Sequence, residues 1–100
     1  MTPVIITNAA IRDIGEIWDQ IARVSSDAAT RTSDEVIDRS LSLKDMPRRY
    51  PRVAAYGDEI RRFHVGPWAV YYEVLADCVE VLRVVYGPAQ HAELALRPDS

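Results

Sequence analysis

"RRFHVGPWAVYYEV", residues 61–74, holds two β-rich runs that meet at Gly66-Pro67, and reading it as a hairpin decides the fold. A third run completes the pattern. Segments 59–65, 68–75 and 78–86 are separated by Gly-Pro at 66–67 and Ala-Asp at 76–77, the punctuation of an antiparallel meander. Alternation places Trp68, Val70, Tyr72 and Val74 on one face of the middle strand, with Ala69, Tyr71, Glu73 and Leu75 on the other. The first face is apolar enough to lie under helices, so the second is expected to be open. Gly87-Pro88 ends the last strand, and a small, polar tail runs from about residue 89. One turn of helix is expected near 90–95.

Upstream of the meander, "PVIIT" (3–7) reads as a short strand with Pro3 at its first residue. Thr7 or Asn8 then caps a helix by accepting one of its free N–H groups. The apolar stripe of that helix is Ile11, Ile14, Trp18, Ile21 and Ala22, opposite Arg12, Asp13, Glu16, Gln20 and Arg23. "SSDAA" (25–29) ends it and starts a second helix, with Ser26 or Asp27 as the expected N-cap. The second stripe, Ala29, Thr32, Ser33, Val36, Ser40 and Leu43, is rich in hydroxyls. Ile37 and Leu41 flank it one turn apart, either packed on the neighbouring helix or open to a partner's amphipathic helix. Pro47 and Pro51 hold "PRRYPRVAAYG" (47–57) as a loop. The expected core is Ile14, Trp18, Ile21, Val36, Leu43, Val70, Tyr72 and Val74. The chain is therefore read as one α+β domain over 1–100, in the order β-α-α-β-β-β.

A chain of 100 residues with 48% hydrophobic content has room for one modest core. No apolar run approaches the roughly 20 residues of a membrane span, and no secretory signal is visible, so the expected location is the cytoplasm. The lone Cys78 has no internal disulfide partner, and His64 and His91 offer no zinc-ligand spacing. Neither a metal nor a cofactor is expected. The formal charge of −3 argues against a general nucleic-acid binder, and no direct sequence-specific DNA binding is expected. Its distribution is uneven: Arg48, Arg49, Arg52, Arg61 and Arg62 face only Asp58 and Glu59 within 47–66, a basic island between acidic flanks.

The order of elements, together with "DIGEIWDQIA" (13–22), "LKDMPRRYPRV" (43–53), "IRRFHVGPWAVYYEV" (60–74) and "VEVLRVVYG" (79–87), resembles the RelE/ParE superfamily of bacterial toxins, the toxin halves of type II toxin–antitoxin pairs. The resemblance runs from residue 4 to about 90 and is closer to the ParE branch. It implies a helical hairpin on one face of a small antiparallel sheet that the N-terminal strand joins. It also implies a partly disordered, acidic antitoxin that folds around the toxin. ParE-type members poison DNA gyrase, whereas RelE-type members cleave messenger RNA in the ribosomal A site.

RNA cleavage by 2′-hydroxyl attack needs a proton acceptor, a proton donor and cations for the phosphate. The RelE pattern has an arginine after the aromatic that follows the glycine corner; here Trp68 is followed by Ala69. It has a second arginine beyond the glycine ending the last strand, where this chain has Pro88, Ala89 and Gln90, and a C-terminal tyrosine, where it has "HAELA" (91–95). Arg62 and His64 share a strand face and are the weak catalytic candidates, with Arg61 pointing the other way. In the alternative, His64 is a surface residue and Arg62 pairs with Glu73 or Glu80. Arg83 interrupts an apolar strand and is expected to be partnered. The partner-binding candidates are Ile37, Leu41, Arg48, Arg49, Arg52, Arg61, Arg62, Tyr71 and Arg83, beside a sheet edge with unpaired backbone groups. The leading expectation is a non-enzymatic, gyrase-binding toxin with a cognate antitoxin. A RelE-like ribonuclease and a degenerate antitoxin-binding scaffold are the alternatives.

Overall fold

In the computed structural model, which describes residues 2–57, 59–87 and 96, six main elements follow one another. They are β1 (Val4–Ile6), α1 (Asn8–Ala22), α2 (Ser26–Leu41), β2 (Ile60–Val65), β3 (Trp68–Val74) and β4 (Val79–Tyr86). Single 3-10 turns cover Ser42–Lys44 and Ala54–Tyr56. The strands form one sheet in the order β1-β4-β3-β2, antiparallel through the meander, with β1 parallel to β4. Gly66, at φ 56°, makes the corner that a residue with a Cβ rarely adopts. Gly87 packs against the same corner, where a Cβ would sit 2.8 Å from the Pro67 carbonyl oxygen.

β1 is short and pairs only with Val79–Val81, so the far half of β4 needs other partners. The start of α1 supplies them. Thr7 donates from its hydroxyl to the Val81 carbonyl at 2.9 Å and the Leu82 carbonyl at 3.2 Å, and Asp13 accepts from the Val84 N–H at 2.9 Å. The same hydroxyl oxygen caps α1 by accepting from the Ala10 N–H at 3.3 Å. At α2 the cap is Ser25, one residue before the expected Ser26 or Asp27. Its backbone is extended, and its Oγ accepts from the Ala28 N–H at 3.1 Å.

The core lies between the hairpin and the face of the sheet carrying Trp68, Val70, Tyr72 and Val74, with Val36 and Leu43 buried against them. The register of α1 differs from the expected stripe. Ala10, Asp13 and Ile17 are buried and Ile14 and Ile21 are partly buried, while Ile11 is 55% and Trp18 38% exposed. The helix is rotated because the Asp13 carboxylate reaches in to β4. Trp18 lies against the start of α2 instead, with its indole N–H 3.5 Å from the Thr30 hydroxyl.

The second face of the sheet is closed rather than open. Ala69 and Tyr71, both with 0% exposure, join Ile60 and Leu82 in a second cluster against which Val53, Tyr56, Val85 and Leu96 pack. The segment after Pro51 folds along β2 to do this. Arg62 N–H donates to the Pro51 carbonyl at 3.2 Å and Val53 N–H to the Ile60 carbonyl at 2.9 Å, and the Tyr56 ring meets Tyr71 edge-on at 5.6 Å. The outer edge of β2 is thus already partly paired, contrary to the expected free edge. Among the described residues, no helix is long and apolar enough to cross a membrane.

Candidate partner-binding surface

The basic island becomes a rigid platform because the loop after Pro47 is clamped from three sides. From the sheet, the buried Tyr72 hydroxyl donates to the Pro47 carbonyl at 2.8 Å. Burial pushes that phenol up to about 12, so it stays neutral and a donor. From β2, Arg61 turns to the loop and donates to the Tyr50 carbonyl at 2.7 Å and the Arg48 carbonyl at 3.2 Å. From α2, Arg39 donates to the His64 carbonyl at 2.7 Å and the Tyr50 hydroxyl at 3.2 Å, and lies 4.9 Å above the Phe63 ring. Tyr50 stacks on Phe63 with ring centroids 4.8 Å apart.

This clamp holds Arg48, Arg49 and Arg52 at the surface. Arg48 sits 3.7 Å from Glu59 in an exposed pair of little net worth. Arg49 lies over the Tyr50 ring at 5.1 Å, and Arg52 occupies a single antiparallel bridge opposite Arg61. Of the nine partner-binding candidates, these three and Leu41 are displayed. Ile37 is half-buried, and Leu41, 44% exposed, lines an open pocket of about 270 Å³ with Thr2, Pro3, Val4 and Lys44.

Three candidates serve the fold instead. Tyr71 is fully buried and offers no open stacking surface. Arg61 is committed to the loop carbonyls. Arg83 has the partner expected of it: the Asp13 carboxylate accepts from Arg83 Nε at 2.7 Å and Nη2 at 3.0 Å, and from the Val84 N–H at 2.9 Å. Those hydrogen bonds outweigh burial and raise the Arg83 pKa further, so the guanidinium stays charged. Asp13, expected at the solvent face, is 8% exposed and pins α1 to β4.

Arg62 and His64 do share the face of β2 away from the hairpin. Arg62 is placed on Tyr71, its neighbour in the strand register, with Nη1 3.4 Å from the hydroxyl and the guanidinium carbon 5.8 Å from the ring centre. His64 is exposed and pairs in register with Ala69, which contributes only a buried methyl group. The readings placed on Pro88, Ala89, Gln90 and 91–95 fall outside the described residues.

The sequence reading overlooked Arg39, Tyr50 and Asp13. Asp13 had a signal, since it shares helical spacing with the buried Ala10 and Ile17 and Arg83 interrupts an otherwise apolar strand. Arg39 and Tyr50 had none beyond Tyr50 lying between two prolines.

The family model described as "ParE toxin of type II toxin-antitoxin system, parDE" matches residues 4–88. Among solved structures, the chain is similar to one from the "Chromosomal ParDE TA system from P. aeruginosa", with a TM-score of 0.73 and 15% identity. That match covers 86% of this chain and 96% of the other. No curated protein matches the chain.

Proposed function

The chain belongs to the ParE toxin family of type II toxin–antitoxin systems, and from that premise we propose that it arrests growth by binding DNA gyrase and is neutralised by a cognate antitoxin. The observation that carries this reading is Ala69. It stands where the ribonuclease branch has an arginine, and here it is a buried methyl beside His64. An anionic transition state would lack a cation at that position. A binding toxin needs instead a shaped surface that survives contact, and the clamped loop with Arg48, Arg49 and Arg52 meets that need.

The same platform suits an acidic antitoxin segment. Its arginines are held on fixed backbone within a chain of net charge −3, so the positive field is local and directs where an acidic peptide lands. Such a segment orders on binding, and its ordering entropy is offset by contact area and charge.

Induction in a gyrase-sensitive host tests the reading. The DNA damage response should rise, and primer extension on host transcripts should show no new codon-linked ends. Reproducible cuts at ribosomal A-site codons, abolished by Arg62→Ala, would replace this reading with the ribonuclease one.

A further inference from the structure

Between Met46 and Tyr50 the chain forms one backbone hydrogen bond among the described residues, from the Arg49 N–H to the Met46 carbonyl at 3.2 Å. A segment with so little backbone bonding of its own opens at low free-energy cost unless side chains hold it. From the sheet, Arg61 and Tyr72 hold its backbone, at the carbonyls of Pro47, Arg48 and Tyr50. Arg39 differs from them in two ways. It comes from the last turn of α2, and among the described residues it is the hydrogen-bonded link between the helical hairpin and the loop. It also holds a side chain, that of Tyr50, rather than a loop carbonyl.

The Tyr50 ring in turn sets where Arg49 stands. The ring stacks on Phe63, and the Arg39 guanidinium carbon lies 4.9 Å from the Phe63 centroid and 5.7 Å from the Tyr50 centroid. Arg49 lies 5.1 Å from the same Tyr50 centroid. A continuous series, Arg39, Tyr50, Arg49, thus runs from the helix to a displayed guanidinium. The other partner of Arg39, the Glu35 carboxylate at 3.6 Å, makes a largely exposed i,i+4 pair of little net worth. Arg39 is therefore ordered by the end of β2 and by the loop that it holds.

On the reading that an antitoxin lands on this loop, we propose that Arg39 is the positioning residue of the partner surface. It acts as a latch that keeps the loop in the conformation displaying Arg48, Arg49 and Arg52 together. An arginine suits this place because one planar fork reaches the His64 carbonyl and the Tyr50 hydroxyl while its face covers a ring. A lysine has the charge without the fork. A partner that selects the closed loop binds in proportion to the closed fraction. Charge steering fades as salt rises, whereas a loss of closed loop persists.

Arg39→Lys in the full chain keeps the charge and so separates the two effects. Limited trypsin digestion reads the loop at Arg49 and Arg52, with Arg12, inside α1, as the reference for global unfolding. Cleavage in the loop should rise about tenfold or more, the size of lost hydrogen bonds together with a lost ring contact, while cleavage at Arg12 stays the same. Stopped-flow association with the antitoxin encoded with the chain should slow about threefold or more, by the same factor at low and high salt. An unchanged loop, or cleavage that rises equally at Arg12, overturns the proposal. So does an opened loop with wild-type association when Arg48→Ala with Arg49→Ala slows it. If neither variant alters association, the antitoxin does not land on this loop and that reading fails. The cleavage ratio then decides by itself whether Arg39 latches the loop.

Discussion

Replacing Asp13 by alanine leaves the Arg83 guanidinium part-buried without its carboxylate and removes the acceptor of the Val84 N–H. Breaking such a pair costs about 3–5 kcal/mol, a large share of a small domain's stability. Urea denaturation of Asp13→Ala should show it, whereas Trp18→Ala, at a 38% exposed position, should lose only about 1–2 kcal/mol. A reversed ranking would mean that α1 is rotated to the stripe centred on Trp18. Tyr72 gives a pH test. Its phenol is raised to about 12 in the folded chain, mainly by burial, against about 10 when unfolded. The folded state therefore holds this proton more tightly. The resulting stability is complete below pH 10 and is lost as the pH rises from about 10 to 12, by roughly 2–3 kcal/mol. Tyr72→Phe should flatten that alkaline fall in denaturation midpoints, and an unchanged slope would place the titration elsewhere.

The elements most legible in the sequence were those with strict period or strong punctuation. The three meander strands show alternation and a Gly-Pro corner, and their observed bounds lie within a residue of the expected runs. The stripe of α2 was legible too, since Ala29, Ser33, Val36, Ser40 and Leu43 are buried and Thr32 is half-buried. That small-residue face leaves Ser40 fully buried with its Oγ unpartnered among the described residues. Ser40→Ala should therefore leave stability unchanged or raise it by up to about 1 kcal/mol, measured as a shift in denaturant midpoint. A loss above that would reveal a hydrogen bond to the hydroxyl. What was not legible depends on contacts distant in sequence. The rotation of α1 is set by an arginine 70 residues away, which local periodicity does not record. The closure of the second sheet face comes from a loop whose path is fixed by Arg39, Tyr50 and Arg61, and no periodicity predicts a loop. For the candidate surface, the basic island was visible as composition, but which arginines are displayed and which hold the loop is a tertiary matter. Arg48 and Arg49 are displayed, so Arg48→Ala with Arg49→Ala should slow antitoxin association at low salt and do so less at high salt, with little change in dissociation. Stopped-flow measurements across salt concentrations separate this from a weakened interaction within the bound complex, which would speed dissociation instead.

At the scale of the whole molecule, an acidic chain presents one basic platform on a sheet covered on both faces. The hairpin fills one face and the returning loop the other, which leaves function to the rims: the arginine loop beside β2 and the pocket where Leu41 meets β1. On β2, Arg62 lies on the buried Tyr71 and His64 stands opposite the buried Ala69. The claim that the toxin acts by binding gyrase is tested most directly by a supercoiling assay with purified gyrase, relaxed plasmid and the purified full chain. The account predicts inhibition of supercoiling at near-stoichiometric toxin, reversed by adding the antitoxin. Undiminished supercoiling at a large excess of folded toxin, from a preparation that still arrests growth when induced, would contradict it.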